Sequence, residues 1–406
     1  MVPQKNSDKV HDFTKDAIEA YIDGDWVTAN DTTLGADNGI GAAAAMAILS
    51  SKDVEHGPIE ALFTIDEETG MTGAFGLKPG LLKGDILLNL DSEDEGELYI
   101  GCAGGINTSA TFDYKLEDVP KDFKGFKIII KGLKGGHSGL DIHLKRGNAN
   151  LILNRILING NEHLGLLLAD IEGGSLRNAI PREAFATVAV PQSEVDNLKK
   201  LIAEVEAYYK KSLTDDPGLV IKLEETETPS KIIDVAIFDN ILNAVHLSPN
   251  GVIKMDPKLK DVVETSSNLA IIKSDNGKLN IAFLHRSSSE NSKKELCKQV
   301  REIYEKYGAK IENSGDYPGW QPNPNSPILN TMKEVYNKNF GKVPEVKVIH
   351  AGLECGILGA NYPNWDMISF GPTIRFPHSP DEKVHIESVG KFWDYLIKTL
   401  KEAPLK

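Results

Sequence analysis

The sequence predicts an α/β fold in which a layer of helices and parallel strands is split by a long α+β insertion. Two observations carry that expectation. First, a small-residue helical stretch, GIGAAAAMAILSS, starts at Gly39, and two apolar runs of strand length follow at 59–65 and 86–90. Each run ends abruptly in acids, IDEETG and DSEDEGE. Alternating helix and strand is the pattern of a parallel layer, and ligand residues in such layers collect where strands end. Second, the texture changes at Gly104-Gly105, where strand-like alternation takes over. It changes back past YPGWQPNPNSP, whose four prolines and glycine read as a linker. The expected division is one domain from 1–104 and 319–406, interrupted by an insertion over 105–318.

The elements follow in order. The first 35 residues are polar and turn-rich. Within the insertion, alternation predicts strands over 108–114 and 126–131, then a glycine-rich turn, KGLKGGHSG, and an amphipathic stretch over 147–157. Strands are expected over 164–171 and 184–190, and helices over 194–211 and 231–244. Strands over 262–272 and 279–284 and a helix over 293–307 complete it. Past the linker come a helix (328–339), strands (345–350 and 366–370) and a closing helix (389–400).

Length and charge bound the class. At about 150 residues per domain, 406 residues suggest two to three domains. With 59 Asp+Glu against 45 Lys+Arg, the net charge is −14. That charge repels a phosphate backbone and sets nucleic acid aside as a partner. No apolar run reaches the roughly 18 residues of a membrane helix. The opening MVPQKNSDKVHDFTKD lacks the apolar stretch of a secretory signal, so no membrane partner and a cytoplasmic location are expected. Cys102, Cys297 and Cys355 form no CxxC pair, which argues against a disulfide framework or thiolate zinc site and fits a reducing compartment.

Four clusters carry candidate chemistry. Divalent cations take carboxylates and imidazoles brought from unrelated chain positions by a rigid fold. Asp37, in LGADNGIG, stands before the small-residue helix and reads either as an outward-pointing ligand or as a turn acid. TIDEETG places Glu67 and Glu68 at a strand end. On an extended segment neighbouring side chains point to opposite sides, so one carboxylate can face a metal and the other a substrate; a solvated acid run is the plain alternative. Asp91, in NLDSEDEGE, is the acid at the end of the second run. It fails as a calcium loop, because Cys102 stands where the twelfth-position Glu belongs. His378, in PHSPDEKVH, is held between prolines as a ligand or a surface turn residue. Gly39–Ala44 also satisfies G-x-G-x-x-A, which raises a dinucleotide-binding oxidoreductase as a lesser alternative. That fingerprint should follow an apolar strand directly, and TTLGADN precedes it instead.

In order and context, LGADNGIG, TIDEETGMTGAFGL, LNLDSEDEGELYIGCAGG, LKGGHSGLDIH, LRNAIPREAFA, YPGWQPNPNSP, IHAGLECG and PHSPDEKVHIESVG together resemble the aminoacyl-histidine (Xaa-His) dipeptidases, within the dinuclear zinc peptidases. The resemblance spans nearly the whole chain. It implies a catalytic domain with a mostly parallel sheet and helices on both faces, interrupted by a lid and dimerisation domain, and hence a homodimer acting on small peptides. It implies that Asp37 bridges two Zn2+ ions, that Glu68 and His378 complete one site, that Asp91 serves the other, and that Glu67 is the general base. His137, in GGHSG, matches a histidine that stabilises the oxyanion across a dimer. Arg286, in FLHRSS, matches an arginine that holds the substrate carboxylate, and Asn178, in RNAIP, lines the same pocket. Gly352 and Glu354 stand near the site without an assigned role. Oxygen and nitrogen ligands also admit Co2+ or Mn2+.

One departure bears on activity. The family carries a further metal-ligand histidine in an H-x-D motif, just before the segment that matches Met1-Val2-Pro3. The expectation is therefore of a chain lacking that N-terminal segment, with one complete zinc site and a second reduced to Asp37 and Asp91. His11 is the nearest other imidazole, but Phe13 stands where the H-x-D aspartate belongs. An inactive or weakly active fragment is the alternative to a zinc-dependent dipeptidase.

Overall fold

A computed structural model describes residues 1–404. The chain forms two compact units, one from Met1–Cys102 with Gly319–Lys406 and one from Ala103–Pro318.

The first unit is built on a four-stranded sheet in the order Glu345–Ile349, Glu97–Cys102, Asp366–Ser369, Ile86–Asn89. Its outer pairings are both parallel, and they meet at an antiparallel junction between Ser369 and Tyr99. A second, antiparallel sheet joins Ala20–Asp23, Trp26–Ala29, Lys383–His385 and Ile374–Arg375. The polar opening of the chain therefore contributes a hairpin that its composition concealed. Around these lie the helices Ala36–Ser50, Pro327–Phe340, Glu354–Asn361 and Ile386–Glu402. Pro327–Phe340 shows why it starts and stops where it does. Ser326 accepts the Leu329 N–H, proline occupies the first turn, and Gly341 closes the helix at φ 70°.

Segment 59–65, expected as a strand, forms none. It has no regular structure, bends at Ile65, and no described strand pairs with it. A strand exists only through its ladder. Without one, Phe63 and Ile65 of this apolar run stay exposed.

The second unit is a nine-stranded antiparallel sheet. Its path runs Val220–Thr226, Phe123–Lys131, Ala184–Pro191, Leu167–Gly173, Val263–Asp275, Lys278–Ser287, Gly104–Asp113, Lys310–Tyr317, with Gly251–Met255 added beside Val263–Asp275. Ala149–Leu164, Val195–Ser212, Val235–His246 and Glu290–Lys306 bury their apolar sides with it. Ile128, Ile130, Val188, Phe283, Ile152 and Tyr304 are among the residues of this core. Fully burying such side chains contributes about 1.5–3 kcal/mol each. The stretch 231–244, read as one helix, divides. Lys231–Ile233 pairs with Leu116–Asp118, and Asp234 then caps the helix by accepting the Ile237 N–H. A cap acid inside an apolar run breaks the run without interrupting its hydrophobicity, so periodicity alone does not find the break.

Candidate active site

Asp37 leaves its helix in the first turn. Gly35 takes φ 76°, Asp37 and Asn38 have non-helical backbone angles, and the peptide between them is cis. The carboxylate of Glu382 holds this turn from below. One oxygen accepts the Gly35 N–H at 2.8 Å and the other the Asp37 N–H at 3.1 Å, and Glu382 is 2% exposed. Asn38 Oδ1 accepts the Gly41 N–H at 3.0 Å. A Cβ on Gly41 would stand 2.3 Å from that oxygen, so a larger residue here displaces the Asn38 side chain.

Asp66, at φ 62°, follows the apolar run 59–65, and Glu67–Gly70 form one helical turn. The expected opposite facing of Glu67 and Glu68 on a strand is therefore replaced by the roughly 100° offset of a helix. Asp66 is engaged by its own loop, accepting the Thr69 hydroxyl and the Thr72 hydroxyl, the latter at 2.8 Å. Asp91 follows the strand Ile86–Asn89, and Asn89 Oδ1 receives both the Asp91 N–H (3.1 Å) and the Ser369 hydroxyl (2.7 Å). His378 lies between Pro377 and Pro380 with φ 60°, a conformation that a non-glycine residue adopts only when its surroundings impose it.

These turns bring three donors together. His378 Nε2 lies 3.0 Å from Asp37 Oδ2 and 3.0 Å from Glu68 Oε2, and one ligand atom from each residue falls within 4.8 Å of the others. Two carboxylate oxygens and one imidazole nitrogen, partly open to solvent, match a hard or borderline dication with a position left for water or substrate. Glu67 and Asp91 stand beside this group. Burial, then repulsion from Glu68, Glu354 and Asp37, pushes Glu67 up to about 7. Burial and the same acids raise Asp91 well above the usual carboxylate range, and burial with Asp37 raises Glu68. Crowded, desolvated carboxylates of this kind are what a cation relieves. His11 does not join the group; it stands edge-on against Phe13 at 4.6 Å.

In the second unit the strand Gly136–His137 pairs with Ala179–Ile180. His137 Nδ1 accepts the N–H groups of Gly139 (3.2 Å) and Leu140 (3.1 Å), and the His137 N–H donates to Asp141 at 2.8 Å. With Nδ1 an acceptor, the neutral ring carries its proton on Nε2. Burial and then Arg286 hold His137 below the ordinary histidine range. Arg286 Nη2 lies 3.5 Å from His137 Nε2, Nε points to Ser138 Oγ at 3.4 Å, and Nη1 donates to the Tyr317 hydroxyl at 3.0 Å. Arg286 is buried, yet among the described residues these partners are all neutral. A buried guanidinium without an acid suits an incoming carboxylate. Asn178 is tied in through its carbonyl, which accepts the Ser138 N–H at 2.8 Å.

Two supporting residues, Glu382 and Asp216, escaped sequence reasoning. Glu382 stands in the same motif as His378, and only the histidine was apparent. Asp216 is fully buried and accepts the Lys134 and Gly147 N–H groups, both at 2.6 Å, thereby fixing the two ends of the His137 loop. It acts 69 and 82 residues away along the chain, and no local pattern announces that. Glu354, expected near the site without an assigned role, is 8% exposed; one oxygen accepts the Thr64 hydroxyl at 2.9 Å and the other has no partner among the described residues. The dinucleotide alternative fails on geometry. The helix Ala36–Ser50 follows a strand of the antiparallel sheet, and Asp37 occupies the turn where a pyrophosphate would lie.

Because Glu382 bonds both amides around the Asp37 turn, Glu382→Gln is expected to lower stability by about 1–3 kcal/mol. It is also expected to weaken metal binding by about 10–100-fold. Thermal unfolding and metal titration measure the two; metal affinity equal to wild type would remove Glu382 from the support of the site.

Comparison with known proteins places these features in context. The cytosol non-specific dipeptidase of Escherichia coli is 49% identical over 407 residues, covering 100% of this chain and 84% of that protein. The crystal structure of aminoacylhistidine dipeptidase from Vibrio alginolyticus gives a TM-score of 0.96 at 50% identity, covering 100% of this chain and 83% of that one. The aminopeptidase PepT of Bacillus cereus shares the fold at a TM-score of 0.51 and 15% identity, over 95% of this chain and 76% of that one. The family model runs from residue 4 to residue 402, taking in both units and every turn described above, and the chain accordingly belongs to peptidase family M20/M25/M40.

Proposed function

We propose that this protein is a metal-dependent dipeptidase that hydrolyses aminoacyl-histidine and a broader range of dipeptides. The observation that carries the reading is the convergence of Asp37, Glu68 and His378, with Glu67 beside them. The 49% identical relative, named as a dipeptidase, supports the substrate class and favours a working hydrolase over an inactive fragment.

Asp37, Glu68 and His378 would hold one cation, and Asp37 with Asp91 would contribute to a second. Zn2+ is the proposed metal, with Co2+ or Mn2+ as substitutes the donor set also accepts. When bound, such a cation acidifies an attacking water and polarises the scissile carbonyl. Glu67 takes the proton from that water and returns it to the leaving amine. His137, with its proton on Nε2, donates to the developing oxyanion. Arg286 pairs with the terminal carboxylate, and Asn178 lines that pocket. We further propose a homodimer formed through the insertion, which brings His137 of one copy to the site of the other, and a cytoplasmic location. No helix among the described residues is long and apolar enough to cross a membrane.

The test is metal content together with dipeptide turnover by the full chain. Turnover that a chelator abolishes and metal restores supports the reading; no turnover of any dipeptide by metal-loaded protein defeats it.

The electrostatics give a separate prediction. In metal-free protein, folded Glu67 keeps its proton to about pH 7, whereas the ordinary glutamate value is 4.5. The stability this group contributes is complete below pH 4.5 and is lost as pH rises through about 7. Glu68 and Asp91 shift the same way. Chelator-treated wild type should therefore lose more melting temperature between about pH 5 and about pH 8 than Glu67→Gln does. Equal losses would show that Glu67 does not titrate in that interval.

A further inference from the structure

Asn268 lies in the strand Val263–Asp275 and is 1% exposed. Its amide nitrogen donates to two carbonyls, Arg177 O at 3.1 Å and Ala179 O at 2.8 Å. These are the carbonyls of the residues on either side of Asn178. On its other edge the same segment is laced to the His137 loop, through the pairing of Ala179 with His137 and the Ser138 N–H on Asn178 O at 2.8 Å. Arg177 anchors the start of the segment to the sheet. Its guanidinium donates to Ser109 Oγ (2.8 Å), Phe283 O (3.2 Å) and Thr108 O (3.4 Å). Asn268, Asn178 and His137 are thus one hydrogen-bonded stack, and Arg286 on the neighbouring strand meets it at His137 and Ser138.

The arrangement has a length built into it. His137 Nε2 and Arg286 Nη2 stand 3.5 Å apart. In a dipeptide the carboxylate carbon is only three bonds from the scissile carbon, a separation of about 3–4 Å, and each further residue adds up to about 3.6 Å. Donors this close fit a carboxylate one residue beyond the scissile carbonyl and miss one that lies two residues beyond.

We propose that Asn268, with Arg177, is a positioning residue that clamps the Asn178 segment, fixes the His137–Arg286 spacing and so restricts the site to dipeptides. This rests on the dipeptidase reading above. A buried amide held for packing alone would be replaceable by leucine of nearly the same shape. An amide held as a clamp is not, because two buried carbonyls then lose their donor.

The test compares wild type, Asn268→Leu and Asn268→Asp on alanyl-histidine and alanyl-histidyl-glycine. Metal content and melting temperature are measured on each protein. Asn268→Asp keeps size and polarity but presents acceptors to the two carbonyls, and it serves if the leucine variant fails to fold. The expected result is at least a 10-fold rise in KM for the dipeptide and at least a 10-fold fall in the dipeptide-to-tripeptide ratio of kcat/KM, with metal content unchanged. Loss of activity on both peptides in equal proportion would assign Asn268 to general stability and overturn the proposal, as would an unchanged KM. Wild type inactive on both peptides would instead overturn the dipeptidase reading itself, and the clamp's role in specificity with it.

Discussion

Replacing Glu67 by glutamine is expected to lower kcat for dipeptide hydrolysis by about 10²–10⁴-fold, the range supplied by a positioned general acid–base, with bound metal retained. The amide matches the carboxylate in shape and cannot accept a proton. Glu67 stands outside the three-donor group of Asp37, Glu68 and His378, so its loss should not empty that position. Its burial and its acid neighbours make it more basic than an ordinary glutamate, which favours proton transfer from water near neutral pH. Steady-state kinetics with metal analysis on the same samples separates the two effects. A variant that turns over at the wild-type rate ends the assignment; a variant that loses both rate and metal makes Glu67 a ligand instead.

Asp37→Asn is expected to remove the metal as well as the activity. Asp37 Oδ2 faces His378 Nε2 at 3.0 Å, and Asp37 is the donor proposed to serve both cation positions. The neutral amide removes one negative charge from the group and offers a poorer ligand. Loss of an outer partner costs about 10–100-fold in metal affinity, so a direct shared donor should cost more than about 100-fold. At limiting free metal, turnover should vanish, and a large excess of metal should restore only part of it. Isothermal titration with Zn2+ or Mn2+ reads the affinity directly. An affinity within a few-fold of wild type would exclude Asp37 from the centre. This effect should exceed that of Glu382→Gln, because Glu382 only holds the backbone on which Asp37 sits.

What could be read along the chain was whatever depends on near neighbours. The helix expected at 328–339 is Pro327–Phe340, and the strand expected at 184–190 is Ala184–Pro191. In both, apolar periodicity and local caps agree with the packing. Segment 59–65 reads as a strand for the same local reasons, yet forms no ladder. Strand formation needs a partner, and the partner is not encoded locally. Glu67 and Glu68 were visible as acids ending an apolar run, but the left-handed turn at Asp66 that winds them into a helix was not.

The sequence by itself determined which residues have the chemistry for a metal-dependent hydrolase and roughly where the helices and strands begin and end. Ordered motifs and hydrophobic period are properties of short stretches, so they survive without coordinates. Only the tertiary structure decided that Asp37, Glu68 and His378 meet at one point, that Glu382 grips the Asp37 turn from 345 residues away, and that Asn268 bonds the Arg177 and Ala179 carbonyls. Those are through-space relations between distant turns. Their energies come from desolvation, hydrogen bonding and charge in a shared volume, which no stretch of sequence contains alone.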